Sequence, residues 1–401
     1  VAQSSNTLDP ANDSEKQVLL ACARTRTSSE MAAQVRPIIG PGLDWEVLIE
    51  AAHEHGVIPL ICRQLLGNFA ESVPQDIHER LRALHEGIAQ KNLFFAAEML
   101  RVSGRFRAEG LIAIPYKGPL LAAQAYGDFG LRQFVDLDFA IRQRDLPRAA
   151  ALLAAEGYTA VFGGITPDEA THPTHSEYQF RRPAGNMIVE MQTESTLRYF
   201  PKPLDFDALE SRVTRVAFAG GETLSFSPED TLILLAVHGA KHFWERLLWI
   251  ADIAELSQSV PGIDWTKAFS IAHEMGVCRM LNLALYLANR MLDAPLPNEV
   301  REKVLRDTAA RKLGDKLCDQ FSMSAKAQMP VFRRFKFRVA SRDSFWAGMR
   351  FALRLATSPT EPDRTDAPLP EHMSGMRRWL RPVLLIKRYG IRPSKPSKPA
   401  K

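Results

Sequence analysis

The sequence predicts an α+β protein, with a mixed sheet-and-helix module in mid-chain and α-helical regions on both sides. Three observations point there. Short β-type runs (Leu111–Tyr116, Phe134–Ile141, Tyr178–Arg182 and Met187–Gln192) are confined to residues 104–225 and alternate with helix-like stretches. Outside that window, apolar residues recur at helical spacing behind start signals such as Ser227-Pro228-Glu229-Asp230. One helical block also occurs twice: Pro41-Gly42-Leu43-Asp44-Trp45 with AAHEHGV at 51–57 is echoed by Pro261-Gly262-Ile263-Asp264-Trp265 with IAHEMGV at 271–277.

In chain order, residues 1–15 read as a polar, disordered lead without the basic-then-apolar pattern of a secretion signal. Residues 16–103 read as an N-terminal helical region containing the first copy of the block. Each copy opens on an Asp N-cap (Asp44, Asp264) and ends at a glycine (Gly56, Gly276). His53 and His273 occupy matching places, which assigns them to packing rather than to a ligand.

The module at 104–225 begins with the apolar run to Tyr116, a Lys117-Gly118 turn, and a helix opened by Pro119. A turn of this kind offers free backbone N–H groups and the positive end of a helix dipole to an anion, and Lys117 adds a formal charge; a triphosphate suits it. The chain returns through Gly127, Gly130 and Arg132 to FVDLDFAI, where alternation sends Asp136 and Asp138 from one face, about 7 Å apart. Two like charges there repel unless a cation sits between them, so the pair is a candidate Mg²⁺ (or Mn²⁺) site; solvated aspartates on an edge strand are the alternative. Asp145 then caps a helix that stops at Gly157. Next comes a polar loop with His172 and His175, a candidate acceptor contact or a plain surface loop. The hairpin 178–192 turns through Pro183–Asn186 and carries Glu190 in mid-strand. That acid is a third metal ligand, a base for an attacking hydroxyl, or an ion-pair partner of Arg181 or Arg182.

Residues 226–330 read as a helical domain. From Thr231 a long helix is expected, with His238, Lys241, His242, Glu245, Trp249 and Asp252 along one stripe. His238 and His242 lack a companion Cys for zinc, and the stripe reads as a lid across the carboxylates with Lys241 and His242 as anion contacts.

Charge divides the chain: residues 331–401 hold 17 Lys and Arg against 5 Asp and Glu, the preceding 330 hold 34 against 41. A basic amphipathic helical region, 331–390, is expected to meet an acidic partner, with a disordered tail at 391–401. Its Arg-Phe alternation could bind single-stranded nucleic acid, or cover a core with aromatics and leave arginine in water. At 46% hydrophobic and 24% charged the composition is ordinary for a soluble protein, and no apolar run reaches the roughly 18 residues that a membrane-spanning helix requires. Cys22, Cys62, Cys278 and Cys318 form no C-x-x-C pair, which predicts reduced thiols and a cytoplasmic location.

The order strand, Lys-Gly turn, helix, DxD strand, helix, acid-bearing hairpin resembles the minimal nucleotidyltransferase fold of the DNA polymerase β superfamily. It is most similar to a bacterial nucleotidyltransferase family, some of whose genes lie beside lasso-peptide biosynthesis genes. YKG at 116–118, AYGDFGLRQFVDLDFAI at 125–141, AEGY at 155–158, IVEMQTES at 188–195 and VHGAKHFWERLLWIADIAEL at 237–256 carry the likeness. Lys117-Gly118 stands where most of the superfamily has Gly-Ser, and Met191-Gln192-Thr193 follows the third acid where a Leu-His-Trp-like run is common. The resemblance implies a Mg²⁺-dependent transfer of a nucleoside monophosphate from an NTP, ATP by expectation, to a peptide or small-molecule acceptor. Asp136, Asp138 and Glu190 would serve as catalytic and metal-binding groups, and Lys117, Gly118, Arg132, Lys241 and His242 as nucleotide contacts. A phosphotransferase of the same fold and a catalytically silent nucleotide- or peptide-binding module are the alternatives.

Overall fold

The computed structural model describes residues 13–161, 177–193, 205–260, 262–326 and 329–357. His172 and His175, the tail from 391 and most of the polar lead lie outside the described residues.

Four helices open the described residues: α1 (Asp13–Cys22), α2 (Ser29–Val35), α3 (Trp45–Glu54) and α4 (Ile58–Leu66). The 34-residue α5 (Gln75–Ala108) leads into the sheet module. There, strands β1 (Ala113–Tyr116), β2 (Leu137–Ile141), β3 (Thr159–Ala160), β4 (Glu177–Arg182) and β5 (Met187–Gln192) form one sheet in the order β1-β2-β5-β4-β3. Only β2 and β5 run parallel. The short α6 (Gly118–Leu121) continues into a π-turn at Ala122–Tyr126, and α7 (Leu146–Ala155) follows β2. After α8 (Phe206–Glu210), strands β6 (Thr214–Phe218) and β7 (Gly221–Ser225) pair as a hairpin. Helices α9 (Pro228–Lys241), α10 (Leu247–Ser259), α11 (Trp265–Met275), α12 (Cys278–Leu292), α13 (Asn298–Arg306) and α14 (Thr308–Asp319) then build the second helical part. A helical hairpin, α15 (Val331–Ala340) and α16 (Phe345–Thr357), closes the described chain.

Strand alternation divides the sheet between two cores. Leu137, Phe139, Ile141, Met187, Val189 and Met191 point to a core shared with the C-terminal half of α5 and with α7. Ile114, Tyr116 and Ala140 leave the opposite face and pack on the larger core, which joins α1, α3 and α4 to α9, α10 and α12. The polar side chains of that second face are thus set between sheet and helices.

The repeated block folds alike in both copies. Asp44 and Asp264 share φ −77°, ψ 94°, and cap Val47 N–H and Lys267 N–H. In each, the cap residue's own N–H is received by a buried glutamate of an earlier helix, Glu15 for Asp44 (2.8 Å) and Glu229 for Asp264 (3.1 Å). The likeness therefore reaches back to α1 and α9. His53 and His273 are exposed, which corrects the packing role expected of them. The packed histidine is His55, whose Nε2 meets Ser322 O at 2.9 Å while Nδ1 accepts from Leu247 N–H at 3.2 Å. One copy thereby caps the helix that follows α9.

The long helix expected from Thr231 is two helices. The chain breaks at Phe243 and Trp244, with φ 60° and 56°. Trp244 folds back onto Gly239, where an added Cβ would stand 2.4 Å from the indole ring. Gly239→Ala should therefore cost about 2–3 kcal/mol in urea unfolding, as an overpacked core does; a loss below about 0.5 kcal/mol would mean that Trp244 is not locked there.

Candidate functional site

Strand pairing gathers the polar groups. Tyr116 opposes Asp138, Asp138 opposes Glu190 across the parallel pair, and Glu190 opposes Gln179, making one row across four strands. Glu177 and Gln192 form part of the next row. Asp136 lies just before β2, half-buried, and Val135 beside it is 56% exposed.

The Lys117-Gly118 turn rises at the end of this row. Lys117 has φ 56°, ψ −149°, a region that non-glycine residues rarely occupy, so the surrounding structure must hold it there. Its Nζ donates to Asp138 Oδ1 at 2.8 Å, with both side chains under 10% exposed. Gln192 Nε2 donates to the same oxygen at 3.0 Å, and Tyr116 OH donates to Gln192 Oε1. Gly118 brings the turn against the Asp136 backbone: a Cβ added there would lie 3.5 Å from Asp136 O.

Like charge dominates the row. Burial, then the Asp138 charge, pushes the Asp136 carboxyl up to about 6. Burial followed by Asp138 and Asp136 pushes Glu190 up to about 7. Glu190 Oε1 accepts from Gln179 Nε2 at 2.6 Å. Arg182 leaves the opposite face toward Glu98 (3.0 Å), and Arg181 lies across from Ile188. Burial opposes the Lys117 charge, but Asp138, with Asp136 and Glu190 behind it, outweighs that and holds the ammonium above its ordinary value.

Three carboxylates make the oxygen-rich donor set that Mg²⁺ takes, and their mutual repulsion is what a cation relieves. Among the described residues, no three His, Cys, Asp or Glu side chains are gathered as a ready metal cage. Asp138 is turned instead to Lys117 and Gln192, so the donor chemistry fits a divalent ion while lysine supplies the positive charge.

The other candidate contacts have partners too. Arg132 is buried and meets both oxygens of Asp252 in α10 at 2.7 and 2.8 Å, and Tyr126 OH joins the same carboxylate at 2.7 Å. Lys241, at the end of α9, pairs with Glu177 of β4 and ties that helix to the sheet. His242 follows it, in ring contact with His238 (4.7 Å) and Trp249 (5.1 Å). Burial first, then Lys241 and Lys117, lowers His242 to about 4; burial and Lys117 hold His238 well below its ordinary value. Both imidazoles are therefore neutral at pH 7 and lie within electrostatic reach of the Lys117 turn.

Glu177, Gln179 and Gln192 have no role in the sequence reading, which places Tyr116 only in the YKG motif and His238 and Trp249 only in the stripe across the carboxylates. Period-two alternation in MIVEMQ does place Gln192 on the Glu190 face, and that signal was available.

The model of a family described as "Uncharacterised nucleotidyltransferase" matches residues 41–293, more than half of the chain. Among solved structures, an antigenic nucleotidyltransferase-like protein from Paracoccidioides brasiliensis is 18% identical, covering 52% of this chain and 95% of that one, with a TM-score of 0.35. No curated protein matches the chain.

Proposed function

Because the chain belongs to this family of uncharacterised nucleotidyltransferases, we propose that it transfers a nucleoside monophosphate from an NTP, ATP in the first instance, to a hydroxyl of a peptide or small molecule. The observation that carries the reading is the in-register Asp138–Glu190 pair, with Asp136 beside it and the strained Lys117 turn at its end. Mg²⁺ or Mn²⁺, held by Asp136, Asp138 and Glu190, would neutralise phosphate charge and position the triphosphate.

The chain's own residues account for the rest. Lys117 exchanges Asp138 for the β- and γ-phosphates, with the Gly118 N–H beside it. Glu190 takes the acceptor's proton as that oxygen bonds to the α-phosphorus. The bond from the α-phosphorus to the bridging oxygen breaks, and pyrophosphate leaves with the electron pair. Lys241, at the end of α9, and His242, just after it, face the nucleotide from the helical side. Arg132 acts as a positioning residue, fixing through Asp252 the segment that delivers Asp136.

A second reading, a silent nucleotide-binding module, is favoured by Lys117 occupying Asp138. ATP labelled at the α- or γ-phosphorus, offered with candidate acceptors and Mg²⁺, tests both. Transfer of the α-label alone supports the proposal, γ-label transfer makes the protein a phosphotransferase, and Mg²⁺-dependent binding without transfer makes it a silent module.

Lys117→Ala should weaken triphosphate binding about tenfold or more while leaving the monophosphate within a few-fold, as read by calorimetric titration. Equal losses for both would remove Lys117 from the β- and γ-phosphates.

A further inference from the structure

The helical hairpin α15–α16 is firmly docked on one side and exposed on the other. Phe337 is buried against Phe243, at 5.7 Å between ring centres, and Arg334 and Arg338 lie over the same ring. Asp343, in the turn between the two helices, caps the N-terminus of α12 through Cys278 N–H (3.1 Å) and Arg279 N–H (2.8 Å). Arg342 is 1% exposed and stacks on Phe351. The placement of the hairpin is thus set by buried contacts.

Its outward side is apolar. On α16, Phe345 and Trp346 are each 71% exposed, Met349 47% and Leu353 67%. At helical spacing these four fall within an arc of about 100°. On α15, Phe332 is 67% exposed, with Lys336 over its ring at 4.5 Å. Arg333, Lys336 and Arg350 are exposed on the same two helices. Residues 331–357 hold seven Lys and Arg against one Asp.

We propose that this face binds an anionic membrane surface, lying in the headgroup layer. Charge selects that occupant. Residues 358–401 carry ten Lys and Arg against four Asp and Glu, so this chain's own C-terminal segment has the same sign as the hairpin, as does the hairpin of a second copy. Side-chain chemistry separates lipid from nucleic acid: Met349 and Leu353 offer a base nothing to stack on, whereas aliphatic, Phe and Trp side chains on one face with basic residues around them suit the headgroup–acyl boundary. No described helix is long and apolar enough to cross a membrane, in keeping with a hairpin that lies on it. The proposal stands apart from the catalytic reading, since none of these side chains belongs to that site.

The test is co-sedimentation of the full chain with vesicles of phosphatidylcholine alone or mixed with phosphatidylserine. Binding to the mixed vesicles is expected to exceed binding to phosphatidylcholine by about tenfold and to weaken with salt. The doubly substituted Trp346→Glu, Met349→Glu chain should lose about tenfold or more of that binding with an unchanged melting temperature. Lys336→Gln with Arg350→Gln should weaken it less and flatten its salt dependence. Failure to bind either vesicle would overturn the proposal. So would binding undiminished in the Glu variant, which would assign it to the basic segment beyond 357. Tighter binding to a labelled oligouridine than to vesicles, or a concentration-dependent dimer in light scattering that the Glu variant abolishes, would give the face to nucleic acid or to a second copy instead.

Discussion

Asp138→Asn is expected to lower nucleotidyl transfer by about a thousandfold or more, and to lower stability as well. The first effect follows from removing a charge at the centre of the acidic row. The second follows from Lys117: the residue is 7% exposed, its ammonium donates to Asp138 at 2.8 Å, and it would be left without its nearest counter-charge. Breaking a buried pair on one side costs about 3–5 kcal/mol. An Asn oxygen can still accept from Lys117, and Asp136 and Glu190 remain within electrostatic reach, so about 1–3 kcal/mol is expected here. Label transfer and thermal melting on this variant check both parts. Turnover within a few-fold of the unsubstituted chain would end the carboxylate proposal, and an unchanged melting temperature would mean that Lys117 is balanced by the other acids.

What the sequence made legible was local. Alternation along FVDLDFAI and MIVEMQ placed Asp138 and Glu190 each on a polar face, and the Lys-Gly turn with Pro119 marked the entry to α6. The pairing of Asp138 with Glu190 depends on a parallel contact between strands some fifty residues apart, and strand spacing alone does not fix that register. Arg132 shows the same limit. The resemblance implies a nucleotide contact there, yet the fork of Arg132 is filled by Asp252, 120 residues away. The break between α9 and α10 was hidden for another reason. Apolar periodicity runs straight through Phe243-Trp244, and no proline or glycine marks the break itself; the indole folding onto Gly239 decides it.

Charge distribution links fold and chemistry. The acidic row lies on the sheet face that Lys241 ties to α9, and the bases around it come from separate segments: Lys117 from the turn, Arg132 from the return loop and Lys241 from α9. Each ties one segment to the next while it neutralises an acid. In the proposed reaction a triphosphate that drew Lys117 away would leave Asp138 short of positive charge, the condition under which a divalent ion binds best.

Glu190→Gln is expected to produce the opposite stability change from Asp138→Asn, giving a more stable protein that has lost about a hundredfold or more of its transfer activity. Glu190 is pushed from its ordinary range up to about 7 by burial and by the two aspartates, so the folded state holds its proton more tightly than the unfolded state does. The sign follows from linkage. Between pH 4.5 and 7 the unfolded chain has released that proton and the folded chain has not, so stability falls as pH rises through this window, and the whole penalty is present above pH 7. Gln removes the charge, keeps the shape and can still accept from Gln179 Nε2. With the carboxyl only partly buried, the gain at pH 8 should be about 1–3 kcal/mol, shrinking toward zero at pH 4.5. Melting curves of both proteins at pH 5 and pH 8, with label transfer alongside, decide the matter. A destabilised, active variant would make Glu190 a structural partner and leave the aspartates to act without it. A stabilised, active one would keep the electrostatic account of the row and remove Glu190 from the chemistry.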